Sequence, residues 1–193
     1  MSDALLNHLL PEFQFSERHT LNMRASPGQV LDAVTQLTAE QDPLVQRFLQ
    51  IREAPARLAL RLGLRNALAD RPRFGLHEFT LLGRHADREI GYGLVGRFWR
   101  SDFGLRSCAD GEAFRRFAEP GTARLMLHFS CEPTDRDGYT QVRTETRVHC
   151  PDRRSRLLFT PYWLAIRPVS GLIRRRLLRD IQRRISDQPQ LGH

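Results

Sequence analysis

The chain contains no lysine. All 30 basic residues are arginine, set against 22 acids, for a net charge of +8. A GC-rich coding sequence produces such a bias unaided, so arginine identity alone is weak support for bidentate recognition of carboxylate or phosphate. Cysteine is scarce: Cys108, Cys131 and Cys150 are odd in number and lack framework spacing. That excludes a disulfide scaffold and fits reduced thiols of a cytoplasmic protein, serving as small apolar fillers. No apolar run approaches the roughly 18–20 residues of a membrane span. The start, MSDALLNHLLPEF, lacks the basic region and cleavage site of a signal peptide. Nucleophile elbow, phosphate-binding glycine loop and metalloprotease motif are all missing. Gly91, Gly93 and Gly96 spell GxGxxG, but inside a strand pattern rather than at a helix start, so the match is chance.

What is present is an ordinary globular composition, 40% hydrophobic and 27% charged, enough for one domain with a sizeable core. The charge is uneven. Residues 151–193 hold 10 arginines and three aspartates, a net +7, whereas residues 1–150 carry only +1.

Residues 1–11 read as a short helix capped by Ser2 and stopped by Pro11. Phe15 to Met23 then alternates, which places Glu17 and His19 on the apolar side of a strand. Ser26-Pro27 starts a helix that buries Val30, Ala33, Val34 and Leu37. Asp42-Pro43 starts more helix, ending at Arg71-Pro72. From Phe74 the period is two, with His77, Phe79 and Leu81 on one face and a turn over Gly83 to Asp87. The strand Glu89 to Arg100 sets Ile90, Tyr92, Leu94 and Phe98 against Gly91, Gly93, Val95, Arg97 and Trp99. Its glycines predict curvature or close backbone approach. Gly111 to Phe117 reads as a helical turn. A hairpin follows, with Leu125, Leu127, Phe129 and Cys131 on one arm and Val142, Thr144, Thr146 and Val148 on the other.

The run from Asp152 to Asp187 reads as one long helix with Asp152 as N-cap. Leu158, Tyr162, Ile166, Val169, Ile173 and Leu177 form an apolar stripe, and Arg175, Arg176, Arg179 and Arg183 form a basic patch on another face. Straight, such a helix would run about 54 Å, against roughly 40 Å for the diameter of a domain this size. Pro161 and Pro168 therefore predict a bend near Thr160–Pro161 or Pro168–Gly171. Strands grouped together with helices segregated make an α+β domain, the long helix covering the apolar face of a twisted antiparallel sheet.

The stretches GLVGRFW, FAEPGTA, TETRV and YWLAIRPVSGLIRRRLL, in this element order, resemble the SRPBCC superfamily, which includes START lipid-transfer proteins, polyketide cyclases and pollen allergens. They resemble most a bacterial subgroup with no catalytic assignment. The resemblance covers residues 12–187 and implies a helix-grip fold, a curved antiparallel sheet wrapped around the C-terminal helix; residues 188–193 read as a disordered tail. It also implies a small hydrophobic ligand, lipid or polyketide-like, between sheet and helix. On the strand and helix parities, the lining would be His19, His77, Tyr92, Phe98, Leu127, Phe129, Thr144, Thr146, Tyr162 and Ile166. The alternative is a cyclase or dehydratase using His19 and Glu17 as an acid–base pair.

His128, Cys131, His149 and Cys150 are zinc-ligand types. However, hairpin pairing puts Cys131 and Cys150 about 30 Å apart, too far for one ion, so neither metal nor cofactor is assigned. Arg97, Arg143, Glu145 and Arg147 fall on the opposite strand faces, where a solvated charge ladder is expected; a bulge would bring Arg97 and Glu145 into the cavity instead. For the basic patch a solvated surface is the first reading. Peripheral contact with anionic membrane is the second, and nucleic acid, lacking any accompanying motif, the third.

Overall fold

Phe15, Glu17, His19, Leu21 and Met23 are the shielded positions of the first strand, and every residue between them is exposed. That alternation makes β1 (Phe15–Arg24) a strand with one covered face. The structure, a computed structural model, describes residues 3–39, 78–100 and 102–187. Ser2, the helical stretch from Asp42 to Pro72, Phe74, His77 and the tail 188–193 lie outside the described residues, as do the side chains of Leu37, Val169 and Ile173. Around β1 run α1 (Ala4–Leu9), α2 (Pro27–Ala39), β2 (Thr80–His85), β3 (Glu89–Gly96), α3 (Gly111–Arg116), β4 (Ala123–Pro133), β5 (Tyr139–His149) and α4 (Arg153–Asp187). The strands form one open antiparallel sheet in the order β1-β5-β4-β3-β2. The fold is α+β.

Two caps set the helices that cover one face of this sheet. Ser26 accepts from Gln29 N while its own N–H donates to the Gln29 side chain, a reciprocal box at the start of α2. Asp152 accepts from Ser155 N at 2.8 Å and Gly121 N at 2.8 Å, which ties the start of α4 to the turn before β4. Those hydrogen bonds, Gly121's first, hold the Asp152 carboxyl down to about 2.

Under α4 the apolar residues fall into two clusters. One joins Met23, Ile90, Tyr92, Phe129 and Val142 to α2 and to Leu177, Leu178 and Ile181. The other joins Leu94, Phe98 and Val148 to Phe159 and Trp163, with Phe15, Tyr162 and Ile166 against it. The expected helical stripe is therefore displaced near its start. Leu158 is exposed, and Phe159 and Trp163 are buried in its place. An aromatic buries more apolar area than a leucine one position away, so the helix turns to bury the rings. It stays unbroken through Pro161 and Pro168, which both lie on its exposed side. The prolines have no N–H to donate to the carbonyls of Leu157 and Leu164, residues that are themselves exposed.

The opposite face is exposed along β1 but covered over β3 and β4. Leu5, Leu6, Leu9 and Leu10 pack with Leu82, Val95, Phe114 and Met126, so α1 and α3 lie across β2, β3 and β4. The expected charge ladder is correspondingly corrected: Glu145 and Arg147 are buried beneath α1 and Arg143 nearly so. Arg147 donates to Glu145, to Asn7 and to the Leu10 carbonyl, and Arg143 donates to Asp3. Parity alone places these residues opposite α4; it does not show that a six-residue helix returns to cover them. Another correction concerns β2. It continues through Gly83 to His85, with a bulge at Leu82 that turns this leucine onto α1, while Leu81 is exposed. Gly93 permits this, since a Cβ there would sit 2.7 Å from Leu82.

Candidate functional site

Between the two clusters under α4, the sheet turns polar. On β1, Phe15 belongs to one cluster and Leu21 and Met23 to the other, which leaves Glu17 and His19 in between. On β5 the same holds for Thr144 and Thr146, flanked by Val142 and Val148. Strand pairing aligns them: His19 stands opposite Thr144 and Glu17 opposite Thr146, followed on β4 by Phe129 and Leu127. The result is a polar belt at the β1 side of the sheet, with apolar residues on both sides and on β4.

Within the belt, His19 Nε2 lies 2.8 Å from Glu17 Oε1, with side-chain exposures of 17% and 9%. Two residues apart on a strand, both side chains project to one face, which is why adjacent β1 positions bring them into contact. In the neutral tautomer whose Nε2–H donates to the Glu17 carboxylate, Nδ1 is the acceptor. Thr144 contributes a third group. It is fully buried, and its hydroxyl has no hydrogen-bond partner among the described residues. Buried hydroxyls are rarely left unpaired, so this one marks a place where a water or ligand polar group fits.

Gly171 of α4 closes over the pair. A Cβ at this position would lie 2.9 Å from Glu17 Oε1 and 3.7 Å from His19 Nε2. Glycine inside a helix costs about 1 kcal/mol relative to alanine, and here it lets the helix backbone approach the dyad. A cavity of about 300 Å³ opens beside it, lined by Glu17, His19, Pro168, Gly171, Leu172 and the arginines Arg167 and Arg175. At roughly 30 Å³ per water it holds about ten waters or a small organic molecule. Arg167 and Gly171 are lining residues that periodicity had not singled out; the visible signal was a glycine three residues after a proline within a helical pattern.

Of the residues expected to line a ligand cavity, His19 alone among the described ones borders this opening. Thr144 and Thr146 sit behind it in the belt. Tyr92, Leu127 and Phe129 are buried in one cluster, and Phe98, Tyr162 and Ile166 belong to or pack on the other. Arg97 and Glu145 do not enter the space under α4. Glu145 is buried below α1, while Arg97 borders a second cavity, about 370 Å³, beside the start of α4. Trp99, Arg100 and Arg154 also line that cavity, and Arg100 there is paired with Asp102. Arg175, Arg176, Arg179 and Arg183 are all exposed, with Asp180 3.6 Å from Arg176 and 3.8 Å from Arg183.

Cys131 and Cys150 are buried free thiols, pushed up by burial to about 12 and so inert as nucleophiles. Among the described residues no group of three potential metal ligands occurs, and no helix is long and apolar enough to cross a membrane. No family model, curated protein or solved structure matches the chain.

Proposed function

We propose that this protein binds a small, mostly apolar molecule between its sheet and C-terminal helix, with the ligand's polar end at Glu17 and His19. The observation that carries the reading is the largely buried His19–Glu17 pair, 2.8 Å apart, bordering a cavity of about 300 Å³ under Gly171. A few convergent polar groups against an apolar wall are the usual composition of a small-molecule site. Here the apolar part of the lining is Pro168 and Leu172 of α4, on either side of Gly171. The Thr144 hydroxyl, without a hydrogen-bond partner among the described residues, adds a further polar group behind His19. Arg167 and Arg175 at the opening favour a ligand whose polar end is anionic. The helix-grip reading of the fold, and the sequence resemblance to SRPBCC proteins, support the same location.

Native mass spectrometry of freshly purified protein tests this. The expected spectrum contains a small-molecule adduct that is lost when Gly171→Leu fills the cavity. An adduct-free spectrum, with no binding of added decanoate or decanol, counts against the proposal. The His19–Glu17 distance also favours a second reading, acid–base catalysis on the bound molecule with His19 as base and Glu17 orienting it. Turnover that falls in both His19→Gln and Glu17→Gln while binding persists would support it.

A further inference from the structure

α4 carries a second apolar row, on the side away from the sheet. Leu157, Leu164 and Leu172 are 63%, 63% and 66% exposed. Pro161 and Pro168, also exposed, fall between them. These five positions are separated by four, three, four and four residues, so they form one line along the helix. Residues in such a row belong in a core; here nothing among the described residues covers them. Arg154 continues the line at one end, and Arg175 and Arg179 continue it at the other, all exposed. None of the three has a carboxylate partner among the described residues. The sequence from Arg153 to Arg179 contains eight arginines and no acid.

The geometry points to this face of α4 as a docking surface for an anionic lipid membrane, with the helix lying in the interface. Charge complementarity selects the occupant. A second copy in face-to-face contact would bring two acid-free arginine rows together, and nucleic acid would leave the central leucines without a partner. An anionic bilayer satisfies both parts, headgroup phosphates for the guanidinium groups and the acyl boundary for the leucines. Leu157 to Leu172 spans about 22 Å along the axis, long enough to lie flat. The carbonyls of Leu157 and Leu164, to which Pro161 and Pro168 cannot donate, favour headgroup depth for the helix, where water and lipid donors are at hand, over the hydrocarbon. Leu172 and Arg175 also line the cavity beside Glu17, so a docked helix would set that opening at the membrane. The inference does not depend on what the cavity holds.

Co-sedimentation with phosphatidylcholine vesicles, with and without about 30% phosphatidylglycerol, tests it. The variants Leu157→Gln/Leu164→Gln and Arg154→Gln/Arg179→Gln avoid every residue of the Glu17 cavity, and far-UV circular dichroism checks their folding. Expected is binding to the anionic vesicles only, reduced at least about tenfold by the leucine pair. The arginine pair should cost about fivefold per charge removed, and about 0.5 M salt should remove most of the remainder. Four results would overturn the proposal: no vesicle binding; equal binding to neutral vesicles; binding that ignores the leucine pair; or leucine-dependent self-association in sedimentation without vesicle binding. Duplex DNA binding that needs the arginines but not the leucines, with vesicle binding absent, would assign the face to nucleic acid instead.

Discussion

Two histidine–glutamate pairs lie on opposite faces of the same sheet. His128 and Glu89 are 2.9 Å apart and His19 and Glu17 are 2.8 Å apart, yet their surroundings differ. Glu89 is enclosed. It accepts from His128, from His85 and from the Leu5 backbone N–H, and so anchors the first turn of α1 from across the fold. Burial by itself would raise its carboxyl, but these hydrogen bonds, His128's first, outweigh burial and hold it below the usual carboxylate range. Glu145, two strands along on β5, follows the same pattern with Arg147 and Arg18. The Glu17–His19 pair instead borders an opening and a glycine-thinned stretch of helix. Similar chemistry serves attachment on the closed face and offers a site on the open one; access makes the difference.

The largest expected effect is on the closed face. Glu89→Ala removes the partner of His128 and of Leu5 N, and should lower stability by about 3–5 kcal/mol, as breaking a buried ion pair does. A urea titration at neutral pH measures it; a loss below about 1 kcal/mol would make the two faces energetically alike.

Acid provides the next contrast. Glu89 and Glu145 are held below 4.5 in the folded chain. The unfolded chain therefore binds more protons as pH falls through that range, and the stability these groups give, present above about 4.5, is lost on further acidification. Stability measured against pH should drop below this point, and Glu89→Gln/Glu145→Gln should flatten the drop. An equally steep drop in the double variant would assign the acid sensitivity elsewhere.

On the open face, smaller changes should separate binding from folding. Gly171→Ala gains about 1 kcal/mol of helix propensity but pushes a methyl against Glu17, so stability should stay level or rise while ligand affinity falls. Parallel melting and binding curves would show this; affinity unchanged by the added methyl would place the ligand away from the dyad. Thr144→Val is the smallest. With the hydroxyl unpaired, the swap should be neutral or stabilising by about 1 kcal/mol in the empty protein, and should cost affinity when ligand is present. A clear stability loss in the ligand-free protein would mean that a structural water already satisfies this group.

The contrast between the faces was only half legible in the chain. Alternation along β1, β4 and β5 was enough to place Glu17, His19, Thr144 and Phe129 toward α4, because a period of two is local information. Spacing could not show which apolar row of α4 meets the sheet. Leu157, Leu158 and Phe159 are consecutive, and only the ring-to-ring packing of Phe159 with Phe15 and Trp163 decides. Nor could it place α1 over Arg143, Glu145 and Arg147, contacts formed by residues about 140 apart in sequence. The bulge at Leu82, which reverses the side facing the core, was invisible for the same reason: its cause is the missing Cβ at Gly93 on the neighbouring strand.

The most direct test of the central claim compares the two histidine–glutamate pairs within one sample. Imidazole signals of His19 and His128, assigned in ¹H–¹³C spectra with His→Gln variants, would be followed while decanoate is added. The expected result is a saturable shift at His19, none at His128, and loss of the His19 shift in Gly171→Leu. A His19 signal that does not move, or one that moves equally in Gly171→Leu, would contradict a ligand site at the Glu17–His19 pair.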